Sequence, residues 1–349
     1  MENSTQKKLI FIQTKVVITL FCLISSSIFS QTKDTLTLQN RIKYSDRLLV
    51  RFNMSTQTDA YTLKKAGDDD FKIAANNSYK LFITGNYKFL GFSYGLAPSF
   101  FGGNSDNDLK GKSSFKDLKF DFFLGNHWLQ TIQYKKIRGY YVENTISYLP
   151  DRQEGDPYFK LSNLKTLSYA MATAYVFNKD FSLKSITSFT EWQQKSTGTF
   201  IPIFRYEYDV NSTEIFGEKI HEDSFNFRLG FGYFHNFIVA KNIYIAPNLT
   251  PSIGIRLAKN VNTHTDNSKT IDNETSYPKF LEGGLKAGYN SDRIIFGGGY
   301  NFNVNWTNSD VQSLTINNQG YLHFYFGYRF GPPQFLSKTV KTIEEKVKS

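Results

Sequence analysis

From Gly320 to Phe330 the chain reads Gly-Tyr-Leu-His-Phe-Tyr-Phe-Gly-Tyr-Arg-Phe. An extended backbone puts Leu322, Phe324, Phe326, Tyr328 and Phe330 on one face and Tyr321, His323, Tyr325, Gly327 and Arg329 on the other. A strand that is greasy on one side and polar on the other fits a wall with hydrocarbon outside and water or polar side chains inside. Hydrocarbon does not solvate an unpaired sheet edge, so such a wall has to close on itself. This one pattern therefore predicts an all-β, antiparallel transmembrane β-barrel.

The same alternation recurs along the chain. It runs through Arg47 to Ser55, Tyr79 to Ile83, Leu90 to Ala97, Leu118 to Leu124, Trp128 to Lys135 and Leu167 to Phe177. It resumes in Phe225 to Phe237, Ile243 to Arg256, Leu281 to Tyr289 and Ile294 to Trp306. Phe181 to Lys195 keeps its phase poorly, because Ile186 and Phe189 share a face only if a bulge intervenes. With that segment included, the pattern predicts about twelve strands, an even number as bacterial barrels usually have. Pro247 and Pro251 fall inside one strand, where a missing ladder donor suggests bulges. Connections at Gly85, Gly125, Asn178, Ala240 and Asn290 read as short. Those around residues 59–77, 99–114, 138–161, 197–222, 259–278 and 307–316 read as long. The alternation predicts short periplasmic turns, long outer loops and both termini in the periplasm. A soluble β-sandwich gives no reason for so regular an order.

At the amino terminus, Lys7, Lys8 and Lys15 precede an apolar stretch from Val16 to Phe29 that is short for a spanning helix. It reads as a signal peptide, residues 1–30, cleaved near Ser30. A periplasmic segment 31–43, the barrel 44–330 and a basic tail 331–349 follow. Cys22 is the sole cysteine and leaves with the signal, so no disulfide or thiolate site is expected in the mature chain. Without Lys7, Lys8, Lys15 and Glu2 the charge falls from +10 to +8. Those cations are scattered, which argues against nucleic acid as a partner. Aromatic residues reach 17% while mean hydropathy is −0.39; a barrel reconciles the two, because only half of each strand faces lipid.

The polar face carries Lys119, Asp121, Lys135, Arg228, Arg256, Glu282, Lys286, His323 and Arg329 among small residues. Charges confined in a lumen have to pair, so these residues read first as a wall of salt bridges and secondly as a selectivity lining for a polar or anionic solute. Glu191, Trp192 and Lys195 read as an outer-rim group, with the tryptophan at the interface. A serine nucleophile needs a base, yet none of His127, His221, His235, His264 and His323 makes a convincing pair with a serine along a strand. No catalytic residue is therefore nominated. Asp68, Asp69 and Asp70, like Asp106, Asn107 and Asp108, lack a full calcium ligand set, and neither a metal nor a cofactor is expected.

Several local strings carry a family likeness. They are Tyr44-Ser45-Asp46-Arg47, Arg138-Gly139-Tyr140-Tyr141, Tyr175-Val176-Phe177-Asn178, Glu191 to Gly198 and Gly288 to Arg293. Together they resemble a domain-of-unknown-function family, family 4421, of predicted outer-membrane barrels from Gram-negative bacteria, and the closing aromatic Phe330 resembles the terminal signal of such barrels. The likeness implies fold and outer-membrane location but transfers no catalytic residue. After Phe330, Gly331, Pro332 and Pro333 break the strand, and Gln334 to Ser349 reads as a short helix that could plug the barrel, bind a partner or touch the membrane. The leading expectation is a channel for small polar solutes or a closed structural barrel. A scaffold or receptor acting through the outer loops or the tail comes next, and a lipid-modifying enzyme last. Expected partners are outer-membrane lipids and lipopolysaccharide, a small polar solute, and a periplasmic or surface protein.

Overall fold

The alternating pattern folds into a ring. The computed structural model describes residues 41–63, 70–215, 217–306, 314–316 and 318–348. Its long strands are β1 Leu48–Ser55, β2 Lys80–Tyr87, β3 Leu90–Leu96, β4 Ser114–Leu124, β5 Trp128–Val142 and β6 Lys160–Tyr175. They continue as β7 Thr197–Ile215, β8 Glu218–Ala240, β9 Ile243–Thr263, β10 Lys279–Asn290, β11 Ile294–Trp306 and β12 Gln319–Phe330. Each is antiparallel to the next, and β12 pairs back onto β1 with Phe326 opposite Phe52, which closes a 12-strand barrel. Closure leaves no free edge in the wall, the condition that hydrocarbon imposes.

Across the middle of the wall the outer face is apolar. Phe52, Phe92, Phe120, Leu229, Ile253, Leu285 and Phe324 are each exposed on it. Aromatic side chains gather towards both ends, with Trp128, Tyr175 and Phe177 in contact at one end and the pairs Tyr134–Tyr169 and Tyr208–Phe225 nearer the other. These are the two interfacial girdles of a membrane barrel. β1 starts and β12 finishes at the same end, called here the terminal end; the opposite end is the loop end.

Four sequence expectations need correction. Gly85 and Asn86 are not a turn but lie inside β2, and the chain reverses at residues 88–89, where Lys88 takes a φ of 53°. Residues 197–222 are not a long loop: they are β7 and the start of β8, paired in unbroken register from Thr197 opposite Asn236 to Ile215 opposite Glu218. Phe181 to Lys195 is not a membrane strand. Its connection, residues 176–196, folds inward at the terminal end, so the count of twelve stands only because β7 takes that segment's place. Pro247 and Pro251 mark no bulge. The pairing of β9 with β8 lacks partners around both prolines but resumes in the same register on either side, because a missing N–H removes a bond without adding a residue.

At the loop end, Ala60–Leu63 and Phe71–Ala74 form a hairpin that continues onto β5 through Ile73 and Val142. Ile73, Ile137, Tyr140, Val142, Leu161 and Leu164 bury there as a second apolar cluster. Gly139, with a φ of 86°, sits at the register shift between Arg138 and Tyr140, which turns Tyr140 inward onto that cluster. A Cβ at Gly139 would collide with the Lys112 carbonyl. Past Pro332 and Pro333 the chain forms helix α1, Gln334–Lys348, with Val340 buried and Phe335 exposed. The signal segment 1–30, Cys22, Asp68 and Asp69 lie outside the described residues.

Charge on the outward face should be costly. Leu229→Arg, in the middle of β8, is expected to destabilise the folded barrel by about 2–4 kcal/mol in lipid vesicles. Ala170→Lys, on the inward face of β6, should cost clearly less. Urea unfolding followed by electrophoretic mobility compares them.

Candidate functional site

Inside the ring two structures stack: a floor at the terminal end and a polar cavity above it. The floor is the segment 176–196 together with Arg41–Lys43, which pairs antiparallel with Glu191–Gln193. Phe181, Leu183, Ile186, Phe189 and Trp192 bury against Leu49, Tyr244, Ile295 and Tyr325 of the wall. A segment with alternation this poor cannot present one clean face to lipid, but it can pack on all sides within a tube.

Polar contacts from many strands hold this plug. Arg51 of β1 donates to the Thr187 carbonyl at 3.0 Å, and Lys286 of β10 donates to that of Ile186 at 2.8 Å. Arg329 of β12 donates to the Phe189 carbonyl and the Asn290 side chain, both at 2.7 Å, and lies 3.9 Å from the Tyr44 ring centre. Asn236 of β8 donates to Ser185 Oγ at 3.0 Å, while Trp192 Nε1 donates to the Lys241 carbonyl at 3.1 Å. Cationic side chains from the wall thus supply donors to backbone carbonyls of the plug. Within the plug, Glu191 accepts from Ser182 Oγ at 2.8 Å and pairs with Lys184 at 3.3 Å and Arg41 at 3.4 Å. Burial pushes the Glu191 carboxyl up, but Lys184, the Ser182 hydroxyl and Arg41 outweigh it and hold the group below the usual carboxylate range.

Above the floor lies a cavity of about 440 Å³ lined mostly by charged and polar residues, with Leu167, Phe227, Ile255 and Phe280 among them. Its charges form hubs. Buried Asp59, brought in by the loop after β1, meets Lys135 at 2.5 Å and Lys80 at 2.6 Å, and Asn77 donates to it at 2.8 Å. Glu282 receives Arg205 at 3.2 Å and Arg228 at 3.4 Å, and Glu222 receives Arg256 at 2.7 Å. Asp117 is held by Gln133 at 2.8 and 2.9 Å. Glu207 and Asp209 also line the cavity, and Asp209 accepts from Asn226 Nδ2 at 2.7 Å. The lining therefore carries more carboxylates than cations.

A family model for the domain of unknown function DUF4421 matches residues 42–330, the whole barrel. The chain belongs to this family. No curated protein matches it in sequence. Among solved structures, the β-domain of the Bordetella autotransporter BrkA is similar at a TM-score of 0.40 and 9% identity, covering 82% of this chain and 99% of that one. The outer-membrane protease OmpT of Escherichia coli gives 0.36 at 6% identity, with 85% and 98% covered. LpxR of Salmonella typhimurium gives 0.34 at 8%, with 81% and 100% covered. None of these similarities assigns an activity to the DUF4421 chain, whose outer-membrane type of barrel is evident from its own closed, apolar-outside wall.

The nine expected interior residues of the DUF4421 barrel all lie on its inward face but at different levels. Lys135, Arg228, Arg256 and Glu282 line the cavity. Lys119 and Asp121 pair with each other at 3.2 Å. His323 accepts from Asn301 Nδ2 at 2.9 Å, and Lys286 and Arg329 brace the plug. Glu191, Trp192 and Lys195 are not a group at the outer rim of a membrane strand: they belong to the plug segment at the terminal end, with Glu191 and Trp192 buried and Lys195 exposed. The error follows from reading their segment as a strand, which also hid β7 and with it Arg205, Glu207 and Asp209. Phe200, Phe204, Tyr206 and Tyr208 alternating with Ile201, Ile203, Arg205 and Glu207 was the available signal. Asp59 and Arg51 had none as partners, since their contacts depend on how a loop and the plug fold inward.

Removing Asp59 leaves Lys80 buried and uncompensated, so Asp59→Ala is expected to cost about 3–5 kcal/mol in unfolding experiments. Because the folded carboxyl of Glu191 sits below its unfolded value, its contribution is complete above the unfolded pKa and is lost as pH falls through the folded one. Trp192 fluorescence, read in a Trp128→Phe/Trp306→Phe background, should report looser plug docking as pH drops below about 4. Glu191→Gln should remove that pH-dependent part.

Proposed function

We propose that this chain is an outer-membrane barrel that admits a small, polar, cation-bearing solute from the loop end into a cavity closed beneath by its own plug. The terminal end faces the periplasm and the loop end the outside, as short turns and longer loops imply for barrels of this kind. The observation that carries the reading is the conjunction of the two levels: a polar cavity of about 440 Å³ above a segment anchored by Arg51, Lys286 and Arg329. Such a lumen is a cup with a gate, not a standing pore. Arg205, Arg228 and Arg256 are engaged by Glu282 and Glu222, whereas Glu207 and Asp209 have no cation within salt-bridge reach among the described residues. An ammonium or guanidinium group on the solute supplies the missing charge, at a site where low dielectric strengthens the attraction.

Planar-bilayer recordings test this directly. Wild-type barrel is expected to seal, and a variant with residues 178–195 replaced by a short glycine-serine turn should conduct with cation selectivity. Glu207→Gln/Asp209→Asn in that background should lose most of the selectivity. Steady current through the wild type, or anion selectivity in the opened variant, would overturn the reading. Orientation is checked separately in a Cys22→Ser background. An impermeant maleimide should label Glu154→Cys on intact cells and spare Asn242→Cys.

A further inference from the structure

The outer face of the wall carries one patch that the lumen does not explain. Lys116 of β4, Lys136 and Arg138 of β5 and Lys165 of β6 stand on the lipid-facing phase of three adjacent strands, towards the loop end. Register places Lys116 directly opposite Lys136 and Arg138 directly opposite Lys165. Like charges facing each other across strands destabilise a sheet unless an anion lies between them. Among the described residues none of the four makes an ion pair; Arg138 donates to Asn163 at 3.5 Å and that contact is neutral. Asp117, next to Lys116 in sequence, points the other way to Gln133. Glu214, the acid on the same outward phase of β7, lies two residues beyond Ser212, the partner of Lys165. It does not reach the patch as an ion pair.

Depth identifies the missing anion. Immediately towards the membrane centre, Leu118 pairs with Tyr134 and Tyr134 with Tyr169, and the two tyrosine rings lie 5.3 Å apart. Tyrosines of this kind sit at headgroup level, so cations one step beyond them stand where lipid phosphates are. Arginine offers a planar fork to phosphate oxygens and lysines add point charges, while Leu118, Leu167 and exposed Phe120 offer a surface for acyl chains.

We propose that Lys116, Lys136, Arg138 and Lys165 form a binding site for a phosphorylated glycolipid headgroup of the outer leaflet. The choice of leaflet rests on the orientation given under Proposed function. Bound lipid relieves the repulsion among the four cations and clamps β4, β5 and β6 together beneath the hairpin at the loop end.

The test uses purified full-length barrel in detergent, diphosphoryl lipid A as probe and native mass spectrometry as readout. Wild type is expected to retain one lipid A about tenfold more strongly than K116Q/K136Q/R138Q/K165Q. A control that removes equal charge elsewhere, K219Q/K259Q/K269Q/K279Q, should retain it like wild type. Should the quadruple variant fail to fold, wild type alone decides, since it should hold diphosphoryl lipid A but not its dephosphorylated form. Equal retention by patch and control variants, or equal retention of the two lipids by wild type, would overturn the site. Retention in detergent does not depend on orientation. Lipid A held by a barrel whose cysteine labelling is inverted would refute the orientation and leave the site standing.

Discussion

Hydrocarbon against the outer wall is the constraint on which everything else depends. It forces the backbone of every spanning strand to find its partner within the protein and forces outward side chains to be apolar, which consigns polar character to the inside. Alternation of period two then fixes register as well, since a slip of one residue would turn Arg228 towards lipid and Leu229 towards the lumen. A 12-strand ring encloses more space than its own inward side chains fill. The remaining problem is how to occupy or balance that space.

The chain solves it differently at each level. Near the terminal end, a segment of its own sequence fills the bore, its apolar residues packed on the wall and its carbonyls met by Arg51, Lys286 and Arg329. Higher up, carboxylates gather cations into hubs at Asp59, Glu222 and Glu282, so that charges placed out of bulk water keep partners. Pairing is incomplete at Glu207 and Asp209 inside and at the Lys116 to Lys165 patch outside, and these are the two places where we propose that charges from other molecules enter. Function in this barrel is thus read from imbalance rather than from fold.

The wall was largely legible in sequence because alternation is a local signal. Leu322 to Phe330 and Phe225 to Phe237 announce their faces without any knowledge of neighbours. The plug was only half legible. The failure of Ile186 and Phe189 to share a face signalled that the segment was unlike the others, but a bulged strand and an inserted plug look alike until the wall around them is known. β7 was missed because Pro202 and a stretch of charges resemble a loop, although proline on the outward face is tolerated where a ladder donor can be spared. Hubs were the least legible part: Asp59 meets Lys80 and Lys135 across sequence separations that no periodicity encodes.

The seating of the plug is measured most directly by cross-linking. Ser185 and Asn236 touch through their side chains at 3.0 Å, one on the plug and the other on β8. In a Cys22→Ser background, Ser185→Cys/Asn236→Cys should be joined by a disulfide on mild oxidation in nearly every folded molecule, and either cysteine alone should resist an impermeant maleimide in the folded barrel. A pair that fails to cross-link while Ser185→Cys labels freely from water would contradict a plugged lumen.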